Sequence, residues 1–210
     1  MGINGQEIPV SISIKTETKL KLFIIDKNLL KTDIEKGLKE LWNIFYFIIL
    51  NCNKHVIFVH NLSNFDGFFI YKALSNRFKP EEVYCLIDTH NKFIQITLEL
   101  KNLKIVFKDS YRIFPVSLKD MCNILSLQGK TSSYNPEYHK ITLFNKENEQ
   151  ILEEFKKYSL QDSNCLYDCI NKLQKMYIQE YNVDITTILS TSTLSMQFLE
   201  LIFLMLILLF

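Results

Sequence analysis

Strand-like and helix-like segments alternate along this chain. The alternation predicts an α/β fold, a mixed sheet with helices on its faces. Three observations carry that prediction. Residues 55–59, read His-Val-Ile-Phe-Val, form an apolar run of the kind expected for a buried central strand. Residues 93–100 place Ile94, Ile96, Leu98 and Leu100 at every second position, the period of a half-buried strand. Ile34, Leu38, Leu41, Trp42, Phe45 and Ile48 recur at helical spacing and make one apolar face.

From the N-terminus, residues 8–14 alternate as a strand, 20–25 read as its neighbour, and 15–19 supply the turn. Thr32-Asp33-Ile34-Glu35 has the spacing of a capping box, with threonine at the N-cap and glutamate three residues later. It opens the helix that carries the apolar face from Ile34 to Ile48. After the strand at 55–59, a helix extends through Leu74. Residues 82–88, 93–100 and 103–108 read as three strands, with Lys101-Asn102 as a hairpin turn. Residues 115–125 read as a helix with Pro115 in its first turn. Residues 131–140 form a loop rich in Ser, Asn, Pro and Tyr, and 149–180 are helical.

Composition bounds the function. The chain of 210 residues is 48% apolar, enough for one domain with a core or one domain plus a tail. A net charge of +1 gives no overall attraction to nucleic acid, so any such binding must come from a local site. Cys52, Cys85, Cys122, Cys165 and Cys169 form no C-x-x-C pair and read as reduced thiols. No signal peptide or Arg-rich presequence opens the chain. Alanine occurs once and arginine twice, whereas Lys, Asn, Ile, Leu and Phe abound. Those choices track AT-rich codons, which points to an organellar, plasmid or viral genome, with the mitochondrion as the expected compartment.

Two polar clusters interrupt the apolar pattern. The first is His60-Asn61-Leu62-Ser63-Asn64-Phe65-Asp66-Gly67-Phe68-Phe69, directly after the strand at 55–59. Asp66 falls where a strand end meets a helix start, the place where open α/β sheets put ligands. The plainer reading makes Asp66 a first-turn carboxylate balancing the helix dipole and Asn61 a turn residue. The second cluster is Tyr158-Ser159-Leu160-Gln161-Asp162. Tyr158 and Asp162 are four apart and share a helix face with Phe155, Cys165, Leu166, Cys169, Leu173 and Met176. A carboxylate on an apolar stripe needs a cation or strong donors. Either a metal ion meets it, or a lysine such as Lys156 or Lys157 does.

Asn-x-x-x-Phe-Asp followed by Tyr-x-x-x-Asp resembles two of the three motifs of the 3′–5′ proofreading exonuclease domain of DNA polymerases. The stretches HNLSNFDGFFI and KYSLQDSNCLY are most similar to the protein-primed family B polymerases of viruses and organellar linear plasmids. The resemblance implies a ribonuclease-H-like exonuclease fold. It implies two divalent metals, Mg²⁺ by ligand hardness, that activate a water and stabilise the leaving 3′ oxygen. By the same resemblance Asp66 and Asp162 are metal ligands, and Tyr158 orients the attacking water. Asn61 and Phe65 hold a single-stranded primer end, Phe65 against a base. His60 and Phe69 match positions that touch the strand or the terminal (priming) protein. Lys108-Asp109-Ser110-Tyr111 resembles a stretch whose serine contacts the primer; a strand-end turn is the equal reading of Ser110. Lys130 is the candidate for the family's loop lysine, one residue out of step.

The departures shape the expectation. The family's first motif, Asp-x-Glu, is spelled only by Asp33-Ile34-Glu35, which opens a helix and lacks a preceding apolar strand. Asn4-Gly5-Gln6-Glu7-Ile8-Pro9-Val10-Ser11 resembles the family stretch just downstream of that motif, so the chain is expected to lack its first strand and half of the metal carboxylates. The expected organisation is a truncated exonuclease domain over residues 1–190 and an apolar tail over 191–210. Residues 198–210 are apolar except Glu200, yet too short to span a bilayer of about 30 Å. The leading expectation is a fragment of a protein-primed type B DNA polymerase with no polymerase activity, no exonuclease activity of its own and at most single-stranded DNA binding. A remnant reading frame without function and a small membrane-associated protein are the other two readings.

Overall fold

The structure, a computed structural model, describes residues 2–3, 6–131 and 133–208, with side chains over 7–131 and 133–200. In chain order its strands and helices are β1 (Gly2–Ile3), β2 (Gln6–Glu7), β3 (Ser11–Lys15), β4 (Leu20–Ile24), α1 (Lys27–Thr32), α2 (Ile34–Leu50), β5 (Val56–Val59) and α3 (Asp66–Arg77). Then come β6 (Val83–Ile87), β7 (Phe93–Leu100), β8 (Leu103–Asp109), α4 (Ser110–Ile113), α5 (Leu118–Ile124), α6 (Glu149–Tyr181) and α7 (Thr191–Leu208). Two compact units divide the chain: Met1–Cys52 with Cys122–Tyr167, and Asn53–Met121 with Asp168–Phe210.

The first unit holds two short antiparallel pairs, β1 with β2 and β3 with β4. The β3–β4 turn closes where the Thr16 N–H meets the Lys19 carbonyl at 2.7 Å. Asp26 caps α1 by accepting from the Asn28 and Leu29 amides. The cap of α2 differs from the sequence expectation. Asp33 is the N-cap and accepts from the Lys36 amide at 3.0 Å. Thr32 is the last residue of α1, and its hydroxyl donates to the Asn28 carbonyl at 2.9 Å. A short helix ahead of α2 took the threonine, and the neighbouring carboxylate supplied the acceptor. Asp33 and Glu35 are both exposed. Gly37 lets α2 lie close to the end of β4: a Cβ there would come within 2.9 Å of the Ile25 side chain. Val10, Ile25, Leu30, Leu143, Phe144 and Phe155 form this unit's core.

The second unit holds a four-stranded mixed sheet in the order β5-β8-β7-β6. β5 runs parallel to β8, and the β8–β7 and β7–β6 pairs are antiparallel. Among the described residues β5 ends the sheet and all its residues are only half-buried. The apolar run at 55–59 therefore marks an end strand, not a central one; a continuous apolar run reports side chains covered on both faces and not backbone paired on both edges. Leu100 pairs with Leu103 across the expected Lys101-Asn102 turn. Ile96, Leu98, Ile105 and Phe107 fill the centre. The helix expected at 115–125 begins later, at Leu118, because the Ser117 hydroxyl accepts the Asp120 amide at 3.1 Å and caps it there. Ile113, Val183, Ile188 and Leu194 make a second cluster in this unit, with Phe58, Phe114, Tyr177 and Phe198 packed on it.

Candidate nucleic-acid interface

The parallel pairing of β5 with β8 sets a polar loop in the second unit. Its register places Val59 opposite Asp109. Residues 60–66 and 109–112 therefore leave the carboxyl ends of two adjacent parallel strands, the position where open α/β sheets bind ligands. The backbone at Asn61 turns through a left-handed conformation, φ 64°. Asparagine tolerates it better than most residues.

Asp109 holds that turn in place. It is buried to 1% exposure and takes four donors. Its Oδ1 accepts from the Asn61 amide at 3.0 Å and the Tyr111 amide at 2.9 Å. Its Oδ2 accepts from the Ser63 amide at 2.9 Å and lies 2.6 Å from the Ser63 hydroxyl. That hydroxyl also lies 2.8 Å from the Phe93 carbonyl, and with one proton it serves one acceptor at a time. The Ser63 oxygen accepts from Arg112 Nε at 2.9 Å, and the guanidinium Nη2 pairs with Asp88. The guanidinium holds the Asp88 carboxyl well below its usual range, helped by the Lys92 and His90 amides. Lys92 Nζ donates to the Asn64 side-chain oxygen at 2.6 Å, and the Asn64 amide donates to the Asn61 side-chain oxygen at 2.7 Å. The outcome is a loop fixed from beneath by a buried carboxylate and clasped from the side by two cations.

The residues singled out in the sequence lie on or beside this loop. His60 Nδ1 is 3.0 Å from the Ser110 hydroxyl, and its ring meets Tyr111 edge-on at 5.6 Å. Ser110 is fully buried, and its hydroxyl also lies 3.4 Å from the Val59 carbonyl. Phe65 sits at the N-cap of α3 without a side-chain cap bond and is 61% exposed, a large apolar ring left in water. Phe69 is half-buried. Asp66 is the first residue of α3. The residue as a whole is exposed, but protein packed around its carboxyl, followed by the negative charge of Asp109, raises its pKa. Gly67 is required by close approach: a Cβ there would lie 2.7 Å from both the Leu62 carbonyl oxygen and the Phe93 ring.

The first unit carries a polar cluster of its own. Tyr158 and Asp162 lie one turn apart on α6, both half-buried on the stripe that buries Phe155 and Cys165. The cation beside Asp162 is Lys130, whose Nζ pairs with its Oδ1. Lys156, one of the expected partners, pairs with Glu153 instead. Lys130 Nζ also donates to the Tyr158 hydroxyl at 3.3 Å and lies 4.6 Å from that ring's centroid, within cation–π range. Gln161 anchors the lysine's loop by donating to the Gly129 carbonyl and the Thr131 hydroxyl, both at 3.2 Å. Burial raises the Asp162 carboxyl in spite of the lysine. Burial alone would lower Lys130, but Asp162 outweighs it and the ammonium is held above its usual value.

At Asp162 the residues present do not fit a divalent metal as they stand. The oxygens of Asp109 are taken by amides and a hydroxyl, and Asp162 already faces an ammonium. Among the described residues no group of three or more His, Cys, Asp or Glu side chains could hold a metal ion. Among them, too, no helix is long and apolar enough to cross a membrane.

Sequence reading missed Asp109, Arg112 and Asp88 as the frame of the loop. Their signal is the β5–β8 register and a contact of Ser63 with a residue 49 positions away, neither of which has a local signature.

Fold and site together define an α/β protein that presents a polar, aromatic-tipped loop at the carboxyl ends of a parallel strand pair. Residues 48–143 match the model of the family described as DNA polymerase type B, organellar and viral. The chain is also 25% identical over 233 aligned positions to a probable DNA polymerase of Ascobolus immersus, covering 93% of this chain and 19% of that protein. It thus spans about a fifth of the length of the curated relative it matches. Among solved structures it is similar to phi29 DNA polymerase complexed with single-stranded DNA, at 18% identity and a TM-score of 0.43 over 64% of this chain and 25% of that one. It is similar, too, to phi29 DNA polymerase in a ternary complex with primer-template DNA and incoming nucleotides, at 14% identity and a TM-score of 0.47 over 81% and 32%.

Proposed function

We propose that this chain is the strand-holding part of a 3′–5′ proofreading exonuclease domain, of ribonuclease-H-like type, from a protein-primed type B DNA polymerase of an organellar, plasmid or viral replicon. The observation that carries this reading is the loop at 60–66, locked onto Asp109 and presenting an exposed Phe65 beside Asn61 and Asp66. An exposed ring fixed at a helix start offers a flat surface on which an unpaired base stacks, whatever the base. The Asn61 amide group beside it offers hydrogen bonds to the terminal nucleotide, and Lys92 adds positive charge next to the loop.

The ligand under this reading is the single-stranded 3′ end of a primer. The terminal protein is a second partner, through His60 and Phe69, and the mitochondrion is the expected compartment. Asp66 and Asp162 are the carboxylates this chain offers towards Mg²⁺, with Tyr158 beside the second. Because Lys130 engages Asp162, we assign the chain by itself no hydrolytic step.

Fluorescence anisotropy with a labelled single-stranded oligonucleotide tests the proposal. Binding should weaken as salt rises, since part of the affinity is counterion release. Phe65→Ala should cost about 1–3 kcal/mol of binding, the usual worth of a stacked base. Unchanged affinity in Phe65→Ala and in Asn61→Ala would remove the loop from the interface. Digestion of a 3′-labelled strand in Mg²⁺ should be undetectable. Degradation abolished by both Asp66→Ala and Asp162→Ala would show instead that a complete hydrolytic site exists.

A further inference from the structure

We propose that Lys130 takes the place of a metal ion at Asp162, so that the Tyr158–Asp162–Lys130 cluster is assembled and charge-balanced without any divalent cation. The inference shares with the proposed function only the assignment of Asp162 as a carboxylate directed at metal. Asp162 projects from the stripe of α6 that buries Phe155 and Cys165, where a lone carboxylate is costly. The lysine that meets it is itself mostly buried, its side chain 17% exposed. Its ammonium is satisfied three ways, by the carboxylate, the Tyr158 hydroxyl and the Tyr158 ring.

The arrangement is built rather than incidental. Gln161, adjacent to Asp162, bonds the residues on both sides of Lys130, namely Gly129 and Thr131. The Cys165 thiol lies 3.8 Å from the Gln128 carbonyl and fastens the same loop one turn further along α6. The loop therefore delivers Lys130 to Asp162 with little freedom to withdraw. A divalent ion entering here meets two penalties. It must displace the ammonium from its carboxylate, leaving a buried cation unpaired. It must then sit beside that cation, and like charges in a poorly solvated site repel strongly. Lys130 thus excludes the metal while meeting the same electrostatic need.

The test is metal binding, read by thermal stability and by NMR on the full chain, with no activity assay involved. The variants are Lys130→Met, which keeps length and removes charge, Asp162→Asn, and the two combined. The expected result is a wild-type Tm indifferent to Mg²⁺. Lys130→Met should gain an Mg²⁺-dependent rise in Tm, with affinity tightened on the order of tenfold, and the double variant should lose it. A wild-type Tm that rises with Mg²⁺ and ceases to do so in Asp162→Asn overturns the proposal. So does a folded Lys130→Met that gains nothing. Should Lys130→Met fail to fold, the wild-type chain decides: ¹³C signals of the Asp162 carboxyl and the Lys130 Cε that stay fixed during Mg²⁺ titration uphold the proposal, and signals that move together overturn it. Phe65→Ala separates this result from the proposed function, because it alters strand binding and leaves every one of these readouts unchanged.

Discussion

At the scale of residues, one buried carboxylate does more than any exposed polar group to shape the loop. Asp109 accepts the amides of Asn61, Ser63 and Tyr111, and the Ser63 hydroxyl lies within reach as well. Asp109→Ala leaves those donors without their acceptor in a buried place. The expected loss is about 3 kcal/mol of unfolding free energy, from hydrogen bonds to a charged group, measured by urea denaturation. Asp109→Asn keeps the shape but puts two N–H donors where only acceptors serve, and should recover little of the loss.

Asp88 gives the pH dependence. Its folded pKa is depressed by Arg112 and the Lys92 and His90 amides, so its contribution is present above the unfolded value of about 3.9 and is lost as pH falls below it. The Asp88 carboxyl signal in an NMR titration should therefore move only in strongly acidic solution. In Arg112→Met it should titrate at a higher pH than in the wild type, still below the ordinary value because the Lys92 and His90 amides remain. A wild-type signal moving near pH 4 would show that the clasp is not held in solution.

At the scale of elements, the helices stand on their caps and on one close approach. Asp33 and Asp26 each accept amides at a helix start, and Asp33→Ala should cost about 1 kcal/mol through fraying of α2. Gly67 has no room for a methyl group between the Leu62 carbonyl and the Phe93 ring. The carbonyl also accepts the Gly67 amide at 2.9 Å, so backbone and side chain cannot retreat separately. Gly67→Ala should cost about 1–3 kcal/mol by overpacking, and should displace Phe65 and Asp66, its immediate neighbours. Chemical denaturation reads the first effect and oligonucleotide affinity the second.

At the scale of the whole molecule, the apolar C-terminal segment is integral to the second unit over its described part. Leu194 is buried with Ile113, Val183 and Ile188. Phe198 packs edge-on against Tyr181 at 4.8 Å and tilted against Tyr177 at 5.9 Å. The Thr191 hydroxyl donates towards the Ile113 carbonyl at 3.0 Å. Ending the chain at Ser190 strips this cover and should lower stability by about 2–5 kcal/mol, as loss of large buried side chains does. The truncated chain should also aggregate more readily, because the uncovered cluster is apolar. Light scattering and thermal unfolding of both lengths would show it, and a truncated form as stable as the full chain would make the segment an appendage. Of the stretch Asn4–Ser11, expected just after a missing strand, residues 4–5 lie outside those described, as do residues 209–210 of the expected tail over 191–210 and the side chains beyond residue 200.

The amino-acid sequence by itself determined the alternation of strands and helices, the β7–β8 hairpin and the two polar clusters. These are properties of period and local chemistry: alternation at two, apolar stripes at 3.6, and side chains that cap or turn the backbone beside them. Periodicity also put Asp162 on an apolar stripe and so demanded a cation, but it could not name which. Only the tertiary structure chose Lys130 over Lys156 and Lys157, because the choice depends on a loop from 32 residues upstream folding against α6. Tertiary structure alone placed β5 at the end of its sheet, since neighbours across a sheet are set by chain crossings and not by the strand's own residues. It likewise brought Asp109 beneath Asn61 and Ser63, a pairing fixed by the parallel register of Val59 with Asp109 across some fifty residues of intervening chain. Local sequence carries local periodicity; a buried charge finds its partner through packing, and packing is decided by the whole chain at once.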